Sequence, residues 1–370
     1  MNFEFSEEQN MLREQAQGFL RDHCSTSVVR RVLDGEESYD KDLWQKVAGM
    51  GWTATVIPEE YDGLGLSYLE LSVIAEELGK ALAPIPFSSS VYLATEILLA
   101  AGSAEQKSEW LPKLAAGTAI GCLAVAEASG PMTGNALTAK LKAGKLTGVK
   151  IPVADGDVAD FALVLANSDQ GPTMCLLELN QSGVVCEQVK TLDPSRSHAC
   201  LKFDGAIAQA VGESGQGLAI LESIYDRAAV LFAWEQVGGA DTALNMAKEY
   251  AMGRFAFGRP IATYQAIKHK LAHAYVKNTL ARSNCYYGAW ALATDAEELP
   301  IAAATARVAA IQAYYYASKE NIQTHGGMGF TWEFDCQFPY RRSKLLAINI
   351  GSEAVWQEKL IQAIEKDRAA

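Results

Sequence analysis

The spacing of apolar residues divides the chain into a helical first third, a strand-rich middle and a helical last part. In the first third, apolar residues recur every three or four positions, which predicts amphipathic helices. Ser6 and Gln9 occupy the two positions of a capping box, so the first helix should begin directly after Ser6. Further helices are predicted at residues 43–50, ending at Gly51, and at residues 68–80.

The middle of the chain lacks this period. Short apolar or alternating runs are separated there by Gly, Asp, Asn and Pro, which is typical of a small antiparallel sheet or barrel. After Gly217 the helical period returns in long Ala-rich segments with short connections, which indicates a four-helix bundle. The predicted strands are at 121–126, 146–153, 161–166, 174–179 and 199–203, and the predicted late helices are at 218–253, 263–294, 299–323 and 352–367.

These segments predict a mostly α protein with a middle β-domain. We expect an N-terminal helical domain at residues 1–118, a small sheet or barrel domain at 119–215 and a C-terminal four-helix bundle at 216–370. The sequence does not show the regular alternation of strands and helices that a dinucleotide-binding fold requires.

Composition and charge exclude several functions. The chain has 370 residues, 49% of them hydrophobic, and can bury more than one core, while its net charge of −12 opposes binding to nucleic acid. The acidic N-terminus has no apolar signal core, and the apolar run at 93–101 is too short for membrane insertion and predicts a buried helix. The seven cysteines are odd in number and include no C-x-x-C pair, which indicates reduced thiols in the cytoplasm and no metal site.

A first candidate site is the segment around Arg254. A predicted helix ends at this arginine, a Gly258-Arg259-Pro260 turn follows, and the next helix carries Gln265. An arginine beside a chain reversal can hold a phosphate with two parallel hydrogen bonds. The same spacing fits an ordinary helix hairpin with a solvated arginine, and spacing alone favours that simpler interpretation.

A second candidate site is a glycine-rich segment near residue 326. Three glycines fall within four residues, at Gly326, Gly327 and Gly329, directly after a long predicted helix. Glycines let a backbone approach a ligand closely and leave N–H groups free for an anion. A glycine C-cap and turn is the simpler alternative, and the glycines alone do not identify a flavin.

Together, the two segments resemble the acyl-CoA dehydrogenase family. That family carries an Arg-x-x-Phe-Gly turn followed by Gln, found here as Arg254, Phe257 and Gln265. It also carries a later Gln-x-x-Gly-Gly-x-Gly-aromatic segment, found here at residues 323–330. The glycine loop at 212–217 is similar to the one that leads into the family's C-terminal bundle. The order and separation of these motifs match over essentially the whole chain.

The resemblance implies FAD bound at a subunit interface and an acyl-CoA substrate whose tail threads between helices. It implies α,β-desaturation of the thioester, electron transfer to an electron-transfer flavoprotein, and a homo- or hetero-tetramer of family members in fatty acid or sterol side-chain catabolism. Carried over by position, the residues expected to contact the FAD of a neighbouring subunit are Arg254, Phe257, Gln265, Gln323, Gly326 and Gly327.

The position of the family's catalytic base carries an apolar residue. The reaction needs a carboxylate in a dry pocket, where desolvation raises its pKa, to remove the α-proton. In the family this is usually a glutamate directly before a glycine, and here the residue before Gly351 is Ile350. Isoleucine cannot accept a proton.

Some family members carry the base on the first bundle helix instead, at a position that corresponds here to Ala228. Asp226 is the nearest candidate base, but it is offset by two residues on a helix where each residue turns about 100°. A salt bridge explains Asp226 more simply, a structural role explains Glu235, and helix-dipole stabilisation explains Glu353.

The segments expected beside the flavin ring also depart from the family. Its Thr-Glu-Pro and Gly-Ser-Asp segments are replaced by residues 126–131, Ala-Glu-Ala-Ser-Gly-Pro, and its Lys-x-Trp-Ile-Thr segment by residues 150–154, Lys-Ile-Pro-Val-Ala. Contacts to the chain's own flavin ring are therefore depleted, whereas contacts to a neighbour's FAD remain. This asymmetry suits one subunit of a heteromeric dehydrogenase. The alternatives are a homo-oligomer that uses Asp226, a catalytically inactive structural or FAD-supporting subunit, and a flavin monooxygenase of the same fold.

Overall fold

The computed structural model describes residues 5–35, 37–127 and 137–369. Their contacts group the chain into two compact units. The first unit combines Met1–Val29, Tyr68–Ala83 and Ala229–Ala370, and the second combines Arg30–Ser67 and Pro84–Ala228. Both units combine segments that are distant along the chain. The three consecutive domains at residues 1–118, 119–215 and 216–370 therefore remain a prediction.

Helices make up most of the described chain, and the predicted capping box is present at the first of them. The Gln9 N–H lies 3.2 Å from the Ser6 Oγ, and the Gln9 side chain accepts the Ser6 N–H at 2.9 Å. The described helices are α1 (Glu7–His23), α2 (Thr26–Leu33), α3 (Lys41–Gly49), α4 (Tyr68–Ala81), α5 (Glu96–Ala101), α6 (Ala104–Ala115), α7 (Gly217–Gly253), α8 (Gln265–Ala293), α9 (Leu299–His325), α10 (Gln337–Leu346) and α11 (Glu353–Ala369). A buried π-type helical segment, Ser88–Thr95, leads into α5 where the sequence predicts a buried helix.

Strands are concentrated in the second unit. They are β1 (Gly121–Ala124), β2 (Lys140–Lys142), β3 (Lys145–Ala154), β4 (Phe161–Ser168), β5 (Gly171–Glu178), β6 (Val184–Gln188), β7 (His198–Ile207) and β8 (Gln209–Val211), and the short β9 (Phe255–Ala256) and β10 (Arg259–Pro260) belong to the first unit. The first eight form one sheet in the order β6-β7-β3-β2-β4-β5-β8, with β1 also paired to β4. The first six residues of β4 are all buried, which explains their unbroken apolar run.

The sequence predicts an antiparallel sheet or barrel, but two of the strand pairs in this sheet are parallel. Strands β1 and β2 both pair with β4 in parallel, and the other pairs of the sheet are antiparallel. Parallel neighbours need a crossover connection, which the local alternation of side chains does not reveal. The sheet is therefore mixed.

Helices α4 and α7 of the first unit approach each other through glycines. A Cβ atom built on Gly79 would lie 2.0 Å from the carbonyl oxygen of Glu235, and one built on Gly238 would lie 2.1 Å from that of Glu76. These distances are far below van der Waals contact, so any side chain at either position would push the helices apart. At each glycine, a main-chain carbonyl of the opposite helix occupies the space that a Cβ atom would fill.

A buried charge network joins four helices of the first unit. Glu76 on α4 is 2% exposed and lies 2.9 Å from Arg282 on α8 and 3.1 Å from Arg13 on α1. Arg282 also pairs with Asp241 on α7. Burial raises the pKa of Glu76, but the charges of Lys80, Arg282 and Arg13 outweigh burial and hold the pKa below its ordinary value. The network therefore depends on the ionised form of Glu76.

Candidate functional site

The chain reverses direction directly after α7, in the hairpin that carries Arg254 and Phe257. The Arg254 N–H donates to the Tyr250 carbonyl at 2.8 Å, and the Arg254 carbonyl accepts the Ile261 N–H at 2.8 Å, so both ends of the reversal are fixed. Strands β9 and β10 are joined by Phe257 and Gly258, with φ of 52° and 79°. A bulky residue at positive φ is strained, and such strain concentrates at functional sites. Phe257 is also 97% exposed.

A second turn follows α9. Gly326 has φ 61° and ψ −134°, a combination that residues with a Cβ rarely adopt. A Cβ at Gly326 or Gly327 would meet no atom within 4 Å, so the main chain is open on this side. The segment Gly326–Phe330 continues as a short 3₁₀ helix. A ligand can therefore approach the backbone here.

Both turns lie at the same end of α7, α8 and α9. Tyr250, one helical turn before Arg254, stacks on His325 with ring centroids 4.1 Å apart. Lys270, near the start of α8, pairs with Glu320, near the end of α9, at 2.9 Å. The structure thus gathers at this end the six residues predicted to contact FAD. All of them are exposed or half-exposed: Arg254, Phe257, Gln265, Gln323, Gly326 and Gly327.

The position of the family's base is buried and apolar. Ile350 is 2% exposed, and its main-chain carbonyl accepts the indole N–H of Trp356 at 3.2 Å. Gly351 follows with φ 109° and precedes α11. The side chain at this position has no atom that could accept a proton.

The three acids considered as substitutes have different surroundings. Asp226 is half-buried on α7, whereas Ala228, the alternative base position, is fully buried. Glu235 is 5% exposed and faces Arg342 at 3.6 Å. Glu353 is half-exposed at the start of α11 and accepts hydrogen bonds from two glutamine side chains. Glu235 and Glu353 therefore have structural contacts, and the role of Asp226 as a base stays a prediction.

An ion pair in the second unit engages one of the segments expected beside the flavin ring. Lys150 is fully buried and donates to Glu127 at 2.7 Å, and Glu127 also accepts the Thr138 hydroxyl at 2.6 Å. Burial raises the pKa of Glu127, but the hydrogen bonds from Lys150 and Thr138 outweigh burial and hold the pKa at about 2. Glu127 is therefore a charged structural group. Residues 128–131 of the same segment lie outside the described residues.

A second buried ion pair follows the other ring-side segment. Asp155, directly after Ala154, pairs with Arg196, and the two residues are 1% and 3% exposed. Arg196 also donates to the Ser88 Oγ at 2.9 Å, and the Ser89 hydroxyl donates to Asp155 at 2.5 Å. The pair forms because β3 and β7 are antiparallel neighbours, which brings the end of one to the start of the other. No local sequence pattern indicates either ion pair.

Comparison with known proteins identifies the family. Residues 6–118 match the acyl-CoA dehydrogenase N-terminal domain, and residues 215–364 match the acyl-CoA dehydrogenase C-terminal domain. The acyl-CoA dehydrogenase IpdE2 of Mycobacterium tuberculosis is 34% identical over 340 residues, or 91% of each chain. A chain of the ChsE4-ChsE5 complex from Mycobacterium tuberculosis superposes with a TM-score of 0.89 at 25% identity, over 99% of each chain. A chain of the Tcur3481-Tcur3483 steroid ACAD gives 0.87 at 27% identity, over 98% of this chain and 99% of that one.

This chain belongs to the acyl-CoA dehydrogenase family of oxidoreductases. The fold agrees with that assignment, with a sheet between N-terminal and C-terminal helices along the sequence, and membership implies a flavin cofactor. Within the described residues, no group of three or more His, Cys, Asp or Glu side chains could hold a metal ion. In the same part of the chain, no helix is both long enough and apolar enough to cross a membrane.

Proposed function

We propose that this chain is one subunit of an FAD-dependent acyl-CoA dehydrogenase and supplies half of an FAD site to a homologous, catalytically complete partner. An asymmetry in the candidate site supports the proposal best. The six residues predicted to contact a neighbour's FAD are exposed or half-exposed at one end of the helices. In contrast, the base position holds Ile350, which is 2% exposed and carries no carboxylate.

The exposed end of the first unit fits the pyrophosphate part of FAD. The guanidinium of Arg254 can bind two phosphate oxygens at once. The open main chain at Gly326 and Gly327 allows an anion to approach closely, and the amides of Gln265 and Gln323 offer both donors and acceptors. In the proposed assembly, these groups bind and orient the cofactor.

The described parts of the segments expected beside the chain's own flavin ring offer few groups that could contact a flavin. Glu127 and Asp155 are each held in an ion pair within the chain, and Pro152 and Ala154 offer neither an aromatic ring nor a hydroxyl. A flavin bound in the assembly would supply the hydride acceptor for the β-hydrogen of the acyl thioester. In the proposed assembly the group that removes the α-proton belongs to the partner subunit, because Ile350 cannot accept a proton.

The proposed substrate is an acyl-CoA thioester, and an electron-transfer flavoprotein is the proposed electron acceptor. The similar Tcur3481-Tcur3483 protein is described as a steroid ACAD, and ChsE4-ChsE5 is described as a complex. Their likeness supports a steroid thioester as the substrate and a heteromeric assembly, for which we propose a sterol side-chain acyl group and a heterotetramer. A fatty acyl group is the alternative substrate.

A homo-oligomer that uses Asp226 as its base is the second candidate. Asp226 is half-buried on α7, two residues from the alternative base position at Ala228. A scaffold that has lost catalysis would show no turnover in any assembly, and a flavin monooxygenase of the same fold would consume oxygen. Flavin absorbance, desaturation and oxygen uptake, measured on the chain alone and with a partner, distinguish these functions.

Arg254→Ala should weaken FAD binding by about 10- to 100-fold, because hydrogen bonds to charged groups contribute about 1.5–3 kcal/mol. The dissociation constant is measured by titrating FAD into the deflavinated assembly and following the quenching of flavin fluorescence. Unchanged affinity and stoichiometry in the variant would exclude Arg254 from the FAD site.

Arg259 offers a matched control on the same hairpin. Its guanidinium lies over the Tyr264 ring, 4.2 Å from the centroid, and is therefore engaged within the chain. Arg259→Ala removes the same charge and should change FAD affinity by about twofold or less. An equal loss in both variants would indicate a general effect of surface charge rather than a direct contact from Arg254.

Asp226→Asn separates the two candidate assemblies. In the proposed heteromer the base belongs to the partner, so the variant should keep both its FAD and its rate of substrate-dependent flavin reduction. In a homo-oligomer that uses Asp226, that rate should fall by about 10²- to 10⁴-fold with FAD still bound, because an amide cannot accept the α-proton. Single-turnover absorbance measurements report both quantities, and a loss of this size would identify Asp226 as the base.

A further inference from the structure

The two turns predicted to hold FAD are linked by one aromatic cluster. Tyr250 stacks on His325 at 4.1 Å with an interplanar angle of 28°. Phe334 packs edge-on against both rings, with centroids 6.2 Å from Tyr250 and 5.8 Å from His325. Tyr250 comes from the end of α7 and His325 from the end of α9, so the cluster joins the two helices where they lead into the turns.

Each of these two residues is connected through the main chain to its turn. The carbonyl of Tyr250 accepts the N–H of Arg254, which begins the reversal after α7. His325 immediately precedes Gly326, and its Nδ1 lies 2.9 Å from the Asn321 carbonyl, which requires Nδ1 to carry the proton. A displacement of the main chain at Tyr250 or His325 would therefore displace the adjacent turn.

His325 is 7% exposed and stays neutral at neutral pH. Burial lowers the pKa of its imidazole, and the hydrogen bond to the Asn321 carbonyl only partly offsets this effect. A neutral imidazole packs between aromatic rings without the cost of a buried charge. The cluster is therefore a fixed packing contact and not a charged one.

We infer that Tyr250 and His325 are positioning residues, which set the distance between Arg254 and the Gly326-Gly327 main chain so that both can contact one pyrophosphate. This inference rests on the proposed function, because it requires both turns to bind the same cofactor. Neither ring needs to touch FAD. Their contribution is to keep two binding groups from separate helices in a fixed arrangement before the cofactor arrives.

The test is a double-mutant cycle on the assembly that binds flavin, with the FAD dissociation constant as the readout. Tyr250→Ala should weaken FAD binding by about 2- to 10-fold, the range that corresponds to one aromatic pair. Tyr250→Phe, which keeps the ring, should restore the affinity of the native chain. In the Tyr250→Ala/Arg254→Ala double variant, the loss should be clearly smaller than the product of the two single losses, because misplacing an absent guanidinium has no cost.

Tyr287 provides the matched control. It stacks on Trp290 with centroids 5.9 Å apart, on the same helix as Gln265 but 22 residues, or about 33 Å, further along. Tyr287→Ala should leave FAD affinity unchanged. His325→Leu, which keeps an apolar group but removes the stack, provides a second test should Tyr250→Ala fail to fold, and it should weaken FAD binding as Tyr250→Ala does.

The outcomes separate this inference from the proposed function. Single losses that multiply in the double variant, or an equal loss from Tyr287→Ala, would assign the cluster a general structural role and overturn the inference alone. An unchanged FAD affinity in Arg254→Ala would overturn the proposed function and the inference with it.

Discussion

Purified alone, this chain should retain little flavin and desaturate acyl-CoA orders of magnitude more slowly than the complete assembly. Co-expressed with a homologue that keeps the glutamate, it should form a tetramer with about one FAD per heterodimer. The reason is that Ile350 occupies the usual position of the base, whereas the turns predicted to contact FAD are exposed or half-exposed. Flavin-to-protein absorbance, light-scattering mass and substrate-dependent flavin reduction, measured on each chain alone and on both together, check this expectation.

Ile350→Glu serves as the control for this prediction and should restore little activity to the chain alone. A carboxylate at this 2% exposed position would be desolvated, which raises its pKa, but Pro152 and Ala154 would still offer a flavin neither an aromatic ring nor a hydroxyl. Glu127 and Asp155 would remain in their ion pairs with Lys150 and Arg196. A homogeneous preparation of the native chain with one tightly bound FAD per subunit and rapid desaturation would contradict the heteromer and favour the homo-oligomer.

Glu76→Gln should lower the free energy of unfolding by about 3–5 kcal/mol, the range for removing one partner of a buried ion pair. Glu76 is 2% exposed and lies within 3.3 Å of nitrogen atoms from Arg13, Lys80 and Arg282. The substitution leaves these cations with less compensating charge among four packed helices. Urea denaturation at neutral pH, followed by circular dichroism, measures the loss.

Glu77 on the same helix is a matched control for Glu76. It is also 2% exposed, but burial raises its pKa despite the favourable contact with Lys80, so its charged form is less stabilised. Glu77→Gln should therefore cost clearly less than Glu76→Gln. Glu77 also pairs with Lys80 and Arg13, so an equal cost in both variants would show that the pair of Glu76 with Arg282 does not determine the effect.

The lowered pKa of Glu76 predicts that its contribution to the free energy of unfolding depends on pH. Because its folded pKa is depressed, its contribution to stability is fully present above the ordinary value of 4.5 and is lost as pH falls through the lower folded value. The difference between the native chain and Glu76→Gln should therefore shrink in acid. A difference that stays constant below pH 4.5 would argue against this linkage.

Much of the fold follows from apolar spacing, and the missed elements are those that tertiary contacts stabilise. Helix α10 contains Pro339 and several cations and lacks a clear apolar period, and in the structure Arg342 anchors it to the carbonyls of Leu82 and Ala83 at 3.3 and 3.4 Å. Strand β6 is almost entirely exposed, so its sequence has no alternation of buried apolar and exposed polar residues that would predict a strand. Such elements depend on neighbours that are distant in sequence.

The candidate site also contains some features that the sequence predicts and others that it does not. The Arg254 and Gly326 turns could be predicted, because glycines and a helix end are local signals and the family motif supplied the rest. The Asp155–Arg196 pair joins residues 41 positions apart, and the stack of Tyr250 on His325 joins two helices. Contacts of this kind require the three-dimensional arrangement. The assignment of individual FAD contacts stays a prediction.

The reciprocal glycine crossing of α4 and α7 has a consequence for how this sequence can diverge. Because Gly79 and Gly238 each face a main-chain carbonyl, the register of the two helices is set without any side chain. Neighbouring side chains can therefore be substituted, and a catalytic group elsewhere can be lost, without displacing the helix axes. The backbone agreement with a chain of the ChsE4-ChsE5 complex, at 25% identity, shows how far side chains in this fold can change while the main chain is kept.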